Sequence, residues 1–391
     1  MNKRIYAGEN RRMLGMIFSL AWPTMLEQLM QTAVQYIDTA MVGALGTQAT
    51  AAVGATTTVG WLIGSSVSAF GVGFLAFIAK ACGANDREAA RKSVTQAVLV
   101  VLTIGILFTV LTLSLSGMIP VWMQVDEEIR QMASVYFFII YVPMLPRAAS
   151  IIFGTVLRAA GDAKTPMKIG VWVNVVNIVL NFFLIYPGRT FSLFSLEFWI
   201  PGAGLGVIGA ASASAVAVTV GGIAISVVLW KHPMVSPKGI KIYPDAEILR
   251  PCIKVTFPNL LQRFGTCLGY VAFAAMINSL GEVATAAHTI ANTIESLFYI
   301  PGYGMQTAAA TLAGNAYGAG DNKRMKNMAS MFIPIEIALM VLSGGCLFVT
   351  APGLMQIFSR SDEVIGLGSA VLRMVAVSEP FYGFSIIVEG S

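Results

Sequence analysis

The sequence predicts an all-α integral membrane protein made of two related helical lobes, with a pseudo-two-fold axis along the membrane normal. Three observations carry this prediction. Apolar residues are 56% of the 391 and charged residues only 12%, about half the ~25% usual in soluble domains, too few to cover a water-facing surface. The apolar residues are gathered in ten runs, each long enough to cross ~30 Å of hydrocarbon as a helix. The chain also matches itself when shifted by 235 positions.

The runs lie at about 13–41, 50–81, 93–118, 132–157, 167–187, 205–230, 248–280, 284–317, 327–350 and 363–391. They are far longer than the ~10-residue alternating strands of a membrane barrel. The first follows a polar, basic start with no small-residue cleavage site behind it, so it is expected to stay as a span and not to be removed as a signal peptide. Loop-forming stretches separate the runs: Gly83-Ala-Asn-Asp-Arg87 after the second, Ala159-Ala-Gly-Asp-Ala-Lys-Thr-Pro166 after the fourth, Gly318-Ala-Gly-Asp-Asn-Lys-Arg324 after the eighth.

Charge orients the spans. Of the 25 Lys and Arg, nineteen fall in the N-terminal segment and every second loop. Arg130, Arg189 and Arg360 occupy the alternate loops, and Arg147, Arg263 and Arg373 lie within runs. The positive-inside rule then places the N-terminus in the cytoplasm of a multi-pass protein of the cell (inner or plasma) membrane. The net charge of +5 is thereby accounted for by topology, with the lipid bilayer as partner and no nucleic acid. Cys82, Cys252, Cys267 and Cys346 stand singly and only two histidines are present, so neither a disulfide framework nor a metal centre is written here. Gly71-Val-Gly73 and Gly202-Ala-Gly-Leu-Gly206 lack the strand–helix context of nucleotide loops and no Walker lysine motif occurs, so neither an enzyme nor an ATP-driven pump is expected.

In the self-match Pro23 meets Pro258 and Leu26 meets Leu261. Met41-Val-Gly-Ala-Leu-Gly-Thr-Gln-Ala-Thr-Ala-Ala52 meets Met276-Ile-Asn-Ser-Leu-Gly-Glu-Val-Ala-Thr-Ala-Ala287, and Cys82-Gly-Ala-Asn-Asp86 meets Tyr317-Gly-Ala-Gly-Asp321. The shift spans six runs, an even number, so both units start on the same side and the axis relating them lies along the normal. The organisation that follows is a cytoplasmic segment (1–12), a first lobe of six spans (13–231), a cytoplasmic linker (232–247) and a second lobe of four (248–391). The repeat predicts two further helices beyond Ser391 to complete the second lobe.

Several segments together resemble the multidrug and toxic compound extrusion (MATE) transporters. They are Pro23…Gln28…Asp38-Thr-Ala-Met-Val-Gly43 in the first run, Leu157-Arg-Ala-Ala-Gly-Asp-Ala-Lys-Thr-Pro166 after the fourth and Asn177-Ile-Val-Leu-Asn181 in the fifth. Gly209-Ala-Ala-Ser-Ala-Ser214 in the sixth and Tyr317-Gly-Ala-Gly-Asp321 after the eighth complete the set. The resemblance covers essentially the whole chain. It implies a cation-coupled antiporter that exports amphiphilic, mostly cationic drugs or metabolites by alternating access between two lobes, as a monomer, with no cofactor beyond the coupling H⁺ or Na⁺. Two alternatives remain from the residues: a flippase for lipid-linked precursors, which would need a more basic cleft, and a shortened remnant that does not transport.

Coupling needs a buried group whose charge changes between states. Asp38 is a carboxylate within a span, functional by default unless it lies at the hydrated outer edge. Asn177 and Asn181 are spaced i, i+4 on one helix face, with Asn174 a turn earlier, and their amides suit Na⁺ or a carboxylate. The resemblance joins Asn177, Asn181 and Ser214 to Asp38 as the ion-coupling set, with a possible Na⁺ at Asp38, Asn177 and Asn181. It also marks departures, since Asn181 stands where an acid is common and Ser214 where a Thr is. Asp38 is matched in the second unit by Phe273, and the seventh-run position where some members carry Glu is Thr266. Glu295 reads as the deepest acid of that half, set either to bind a cationic substrate or to pair with Arg263. Glu379 and Arg373 have no readable role, and Glu27 is expected to be paired or snorkelling. Pro23 and Pro258 each remove a helix hydrogen bond, as hinges or as static bends.

Overall fold

The computed structural model describes residues 2–193 and 196–390. Its helices are α1 (Asn2–Gly43), α2 (Thr47–Gly83), α3 (Arg87–Leu115), the short α4 (Ile119–Trp122), α5 (Glu127–Tyr141), α6 (Met144–Ala159), α7 (Lys164–Ile185) and α8 (Gly206–Lys231). The second half holds α9 (Ala246–Asn278), α10 (Glu282–Phe298), α11 (Ile300–Gly318), α12 (Asn322–Phe358) and α13 (Asp362–Gly390). These form ten rods that coincide with the ten apolar runs, because α5–α6 and α10–α11 are each one rod with a break. By length and mean hydropathy alone seven helices qualify as membrane spans, and the α5–α6 pair, bent by 51°, makes an eighth. The two rods that fall short owe it to polar residues the protein keeps inside them: Glu27, Gln28, Gln31, Gln35 and Asp38 on α1, and His288, Asn292 and Glu295 on α10.

The break in the fourth rod has a local cause. Pro143 and Pro146 cannot donate to the preceding turn, and α5 ends at Tyr141, so its last-turn carbonyls need other partners. Arg147 supplies one. Its Nη2 donates to the Ile140 carbonyl at 3.1 Å and its guanidinium lies 5.4 Å from the Tyr141 ring centre, a cation at the negative end of α5. In the eighth rod the break falls at Tyr299, ahead of Pro301 in the first turn of α11.

Polar loop residues close the helix ends. The Asp86 carboxylate accepts from the Ala89 amide at 2.9 Å, and Asp162 from Thr165 at 3.0 Å, satisfying first-turn donors. Between α7 and α8, where sequence reading expects only a loop, β1 (Pro187–Leu193) and β2 (Leu196–Ala203) pair as an antiparallel hairpin. The all-α expectation therefore holds for the spans and not for this connection. The linker after α8 is irregular in backbone but pinned to α3. Arg87 donates to the Pro233 carbonyl at 2.5 Å and Arg91 to that of Ser236 at 2.8 Å. Gln96 exchanges bonds with Tyr243 and Asp245 at 2.9 and 3.0 Å.

The first lobe packs around Phe74, Ile78, Phe137, Met144, Ile152 and Leu157, and the second around Ile294, Leu347, Met355 and Leu372. A third apolar cluster joins the lobes: Met13, Ile17 and Ala21 of α1 lie against Met305, Ala309 and Leu312 of α11. At the same basic end small residues let α2 meet α9 and α11 backbone to backbone. A β-carbon on Gly73 would lie 2.8 Å from the Cys252 carbonyl oxygen, and one on Gly83 would overlap that of Asn315. Farther from this end Tyr36 Oη donates across to the Thr293 carbonyl at 3.0 Å, while Ile37, Trp61, Phe273 and Met276 nearby are exposed. The apolar and glycine packing between the lobes thus lies at the basic end.

Candidate ion and substrate site

Asp38 lies in the C-terminal half of α1, half-buried, where α1 packs on α7. Its Oδ1 accepts from Asn181 Nδ2 at 2.5 Å. The i, i+4 spacing puts Asn177 and Asn181 on the buried face of α7, 5% and 0% exposed. The Asn177 amide lies 3.0 Å from Ser214 Oγ of α8 and 2.9 Å from Asp38 Oδ1. Turning its oxygen to the hydroxyl and its nitrogen to the carboxylate satisfies both neighbours. The four side chains named from sequence therefore meet in one cluster that ties α1, α7 and α8 together. Asn174, a turn earlier, is buried with its Nδ2 unpartnered, and so is Asn181 Oδ1.

This cluster holds one anionic carboxylate, amide and hydroxyl oxygens, and among the described residues no cation in ion-pair contact with Asp38. A carboxylate so placed is stabilised by amide donors, whereas a proton or a small cation would be stabilised by its oxygens. Asn181 Oδ1, enclosed and unused, is an acceptor such an ion would satisfy. The donor set fits either.

The second lobe is not a copy. Phe273, the residue equivalent to Asp38, packs edge-on to His288 with ring centres 5.4 Å apart. Glu295 sits in the last turn of α10 at the break, and its carboxylate accepts from the Tyr299 hydroxyl. The break at Tyr299 places a hydroxyl one turn away, within reach of the acid. Glu336 on α12 and Glu379 on α13 are 0% exposed, against a partly exposed Glu295. Arg373 turns away from them, its guanidinium 5.5 Å from the Phe348 ring centre.

Glu27 is paired, as expected, with its Oε2 2.8 Å from Arg158 Nη1. That bond links α1 to the end of α6. Sequence reading did not foresee the partner, although Arg158 belongs to the Leu157-Arg-Ala-Ala-Gly-Asp162 segment. Pro23 and Pro258 both lie inside continuous helices, α1 and α9, which their missing hydrogen bonds weaken at that point.

Ten rods in two repeated lobes, packed together at the basic end and with a polar cluster buried in the first lobe, define a multi-pass membrane protein of the two-lobed transporter class. The MatE family model matches residues 23–183 and again 258–391, and the two matches begin 235 residues apart, in register with the repeat. The chain belongs to the MatE family. It is 25% identical over 375 residues to the probable multidrug resistance protein NorM of Thermotoga maritima, covering 96% of this chain and 78% of that one. It is 24% identical over 375 residues to the probable multidrug resistance protein YpnP of Bacillus subtilis, covering 96% and 80%. Among solved structures, MATE in complex with MaL6 matches at 25% identity with a TM-score of 0.85 over 96% of this chain and 82% of that one. The outward-facing conformation of a multidrug resistance MATE family transporter of the MOP superfamily shares the fold at a TM-score of 0.86, with 24% identity over 96% and 81%.

Proposed function

We propose that this protein is an antiporter of the cell membrane, with its basic end in the cytoplasm, that exports amphiphilic, mostly cationic compounds in exchange for H⁺ or Na⁺. The observation that carries the reading is the Asp38 cluster: a carboxylate within a span, held by Asn177 and Asn181, with an unused amide oxygen beside it. An ion and a substrate that each favour a different state exchange across the membrane if the lobes open alternately. The apolar and glycine packing that closes the basic end supports an outward-facing state. Pro23 and Pro258 are hinges in this scheme. Glu295, at the α10–α11 break and bonded to Tyr299, provides an anionic contact for a cationic substrate, with Arg263 of α9 shaping the second lobe's side of the site.

Everted vesicles containing the protein and loaded with DNA, on which ethidium fluorescence rises, test the reading. Imposed H⁺ or Na⁺ gradients are expected to drive ethidium uptake, and ionophores that collapse the active gradient are expected to stop it. Uptake indifferent to both gradients would contradict coupling.

A further inference from the structure

Two buried acids stand outside the site described above. Glu336 of α12 and Glu379 of α13 are each fully enclosed, and both oxygens of both carboxylates lack a hydrogen-bond partner. They come from facing sides of one helix pair. Gly383 of α13 packs on Glu336, whose Cγ would lie 3.3 Å from a β-carbon there, and Gly344 of α12 packs on Glu379, whose Cβ would lie 3.1 Å from one. Counting along these helices at ~1.5 Å per residue separates the acids by about one to two turns. Gly302 of α11 completes the enclosure: a β-carbon on it would stand 3.1 Å from Glu336 Oε1, beside Ile386 Cδ1 and Met340 Cε.

An ionised carboxylate in such surroundings is unfavourable without a partner cation. The charged and titratable groups on the packed elements do not provide one. Glu295 of α10 lies within electrostatic reach of Glu379 and is an acid itself. Tyr299 bonds to Glu295 and packs on Tyr382 with ring centres 4.8 Å apart, and the Tyr382 hydroxyl lies 3.3 Å from that of Tyr303. Arg373 of α13 is engaged with the Phe348 ring and carbonyl. Lys326 is ten residues, ~15 Å, along α12 from Glu336 and exposed. A metal cation needs several oxygens at once, and the methyl groups of Ile386 and Met340 border the pocket instead.

We propose that Glu336 and Glu379 form a second proton site, in the second lobe and separate from the Asp38 cluster. Both acids hold their protons while α11, α12 and α13 are packed as here, and release them when that packing loosens. The step is simple acid dissociation, in which each carboxyl O–H breaks and its proton passes to water. Gly302, Gly344 and Gly383 are the glycines that make room for the two side chains. The inference rests on the transport reading only for its cycle. Occupancy of the site is independent of it.

Infrared spectroscopy of the purified full chain in lipid nanodiscs reads the site, because a protonated carboxyl has a carbonyl stretch that a carboxylate lacks. At neutral pH that band is expected, and E336Q and E379Q should each remove part of it, whereas D38N should leave the Glu336 and Glu379 components in place. A band unchanged in both glutamine variants, with thermal unfolding as cooperative as in the parent, would overturn the proposal. G302A offers a second route that keeps both acids: crowding Glu336 should shift the part of the band that E336Q removes, and no shift would contradict the placement. Failure of ethidium transport with the band behaving as stated would sink the antiport reading and spare the site. Normal transport with no such band would do the reverse.

Discussion

Gly83 and Gly318 are equivalent positions in the 235-residue repeat, and each sits against the backbone of the other's helix. Gly83 faces the Asn315 carbonyl and Gly318 faces the Lys80 carbonyl, and residues 80 and 315 are themselves equivalent. The α2 and α11 helices therefore meet in a self-complementary contact, which places the pseudo-two-fold axis through the closed end. A β-carbon at either glycine would overlap backbone, which cannot swing aside as a side chain can.

The contact predicts a gate variant. Gly83→Ala and Gly318→Ala are expected to cost the closed state about 1–3 kcal/mol each, the usual range for overpacking, and to shift the lobes towards opening at the basic end. A cysteine at Ala76, in a background free of the four native cysteines, should then be labelled faster from that end in everted vesicles. Unchanged labelling would mean that the glycines are incidental to closure.

Orientation is checked separately. Glu282 begins α10 at the end far from the basic loops, and Lys326 is exposed in the first turns of α12 at the basic end. In the same cysteine-free background, Glu282→Cys should react with an impermeant maleimide in intact cells, and Lys326→Cys only after permeabilisation. The opposite pattern would invert the topology.

The Glu27–Arg158 pair, with side chains 15% and 17% exposed, makes a prediction about stability. Glu27→Gln removes one charge and strands the other, expected to cost about 3 kcal/mol. Glu27→Gln with Arg158→Met together should cost less than Arg158→Met alone plus Glu27→Gln, because no unpaired charge is left. Thermal unfolding in detergent measures this. Strict additivity would show that the two groups do not interact.

These residues also show what could be read in advance. The ten rods were legible because span length and charge asymmetry act locally, and the Asn177–Asn181 face because helical spacing is local too. Asp38 was legible as an acid inside an apolar run. Its bonding to α7 and α8 is a matter of packing between distant segments, and the resemblance to MATE transporters supplied it where periodicity could not. Glu336 escaped notice because Ile333-Pro-Ile-Glu-Ile-Ala-Leu339 reads like any span with one acid near a kink. Its isolation depends on Gly302 and Gly383, contributed by two other helices. The hairpin between α7 and α8 and the pinning of the linker on α3 likewise depend on pairings that no single segment displays.

The central claim is that Asp38 carries the coupling, and replacing its charge alone tests it most directly. Asp38→Asn keeps the size and most of the hydrogen bonding with Asn177 and Asn181 but cannot ionise. In purified protein, ethidium affinity is measured against pH and Na⁺, and coupling of the usual ~1–3 kcal/mol should change that affinity about 5–150-fold across the active ion's range in the parent. Asp38→Asn is predicted to bind ethidium with an affinity flat in both ions and to stop gradient-driven uptake, while Glu295→Gln weakens binding and keeps the ion response. An Asp38→Asn protein whose affinity and uptake follow the ion as the parent's do would contradict the account and move the coupling site to the second lobe.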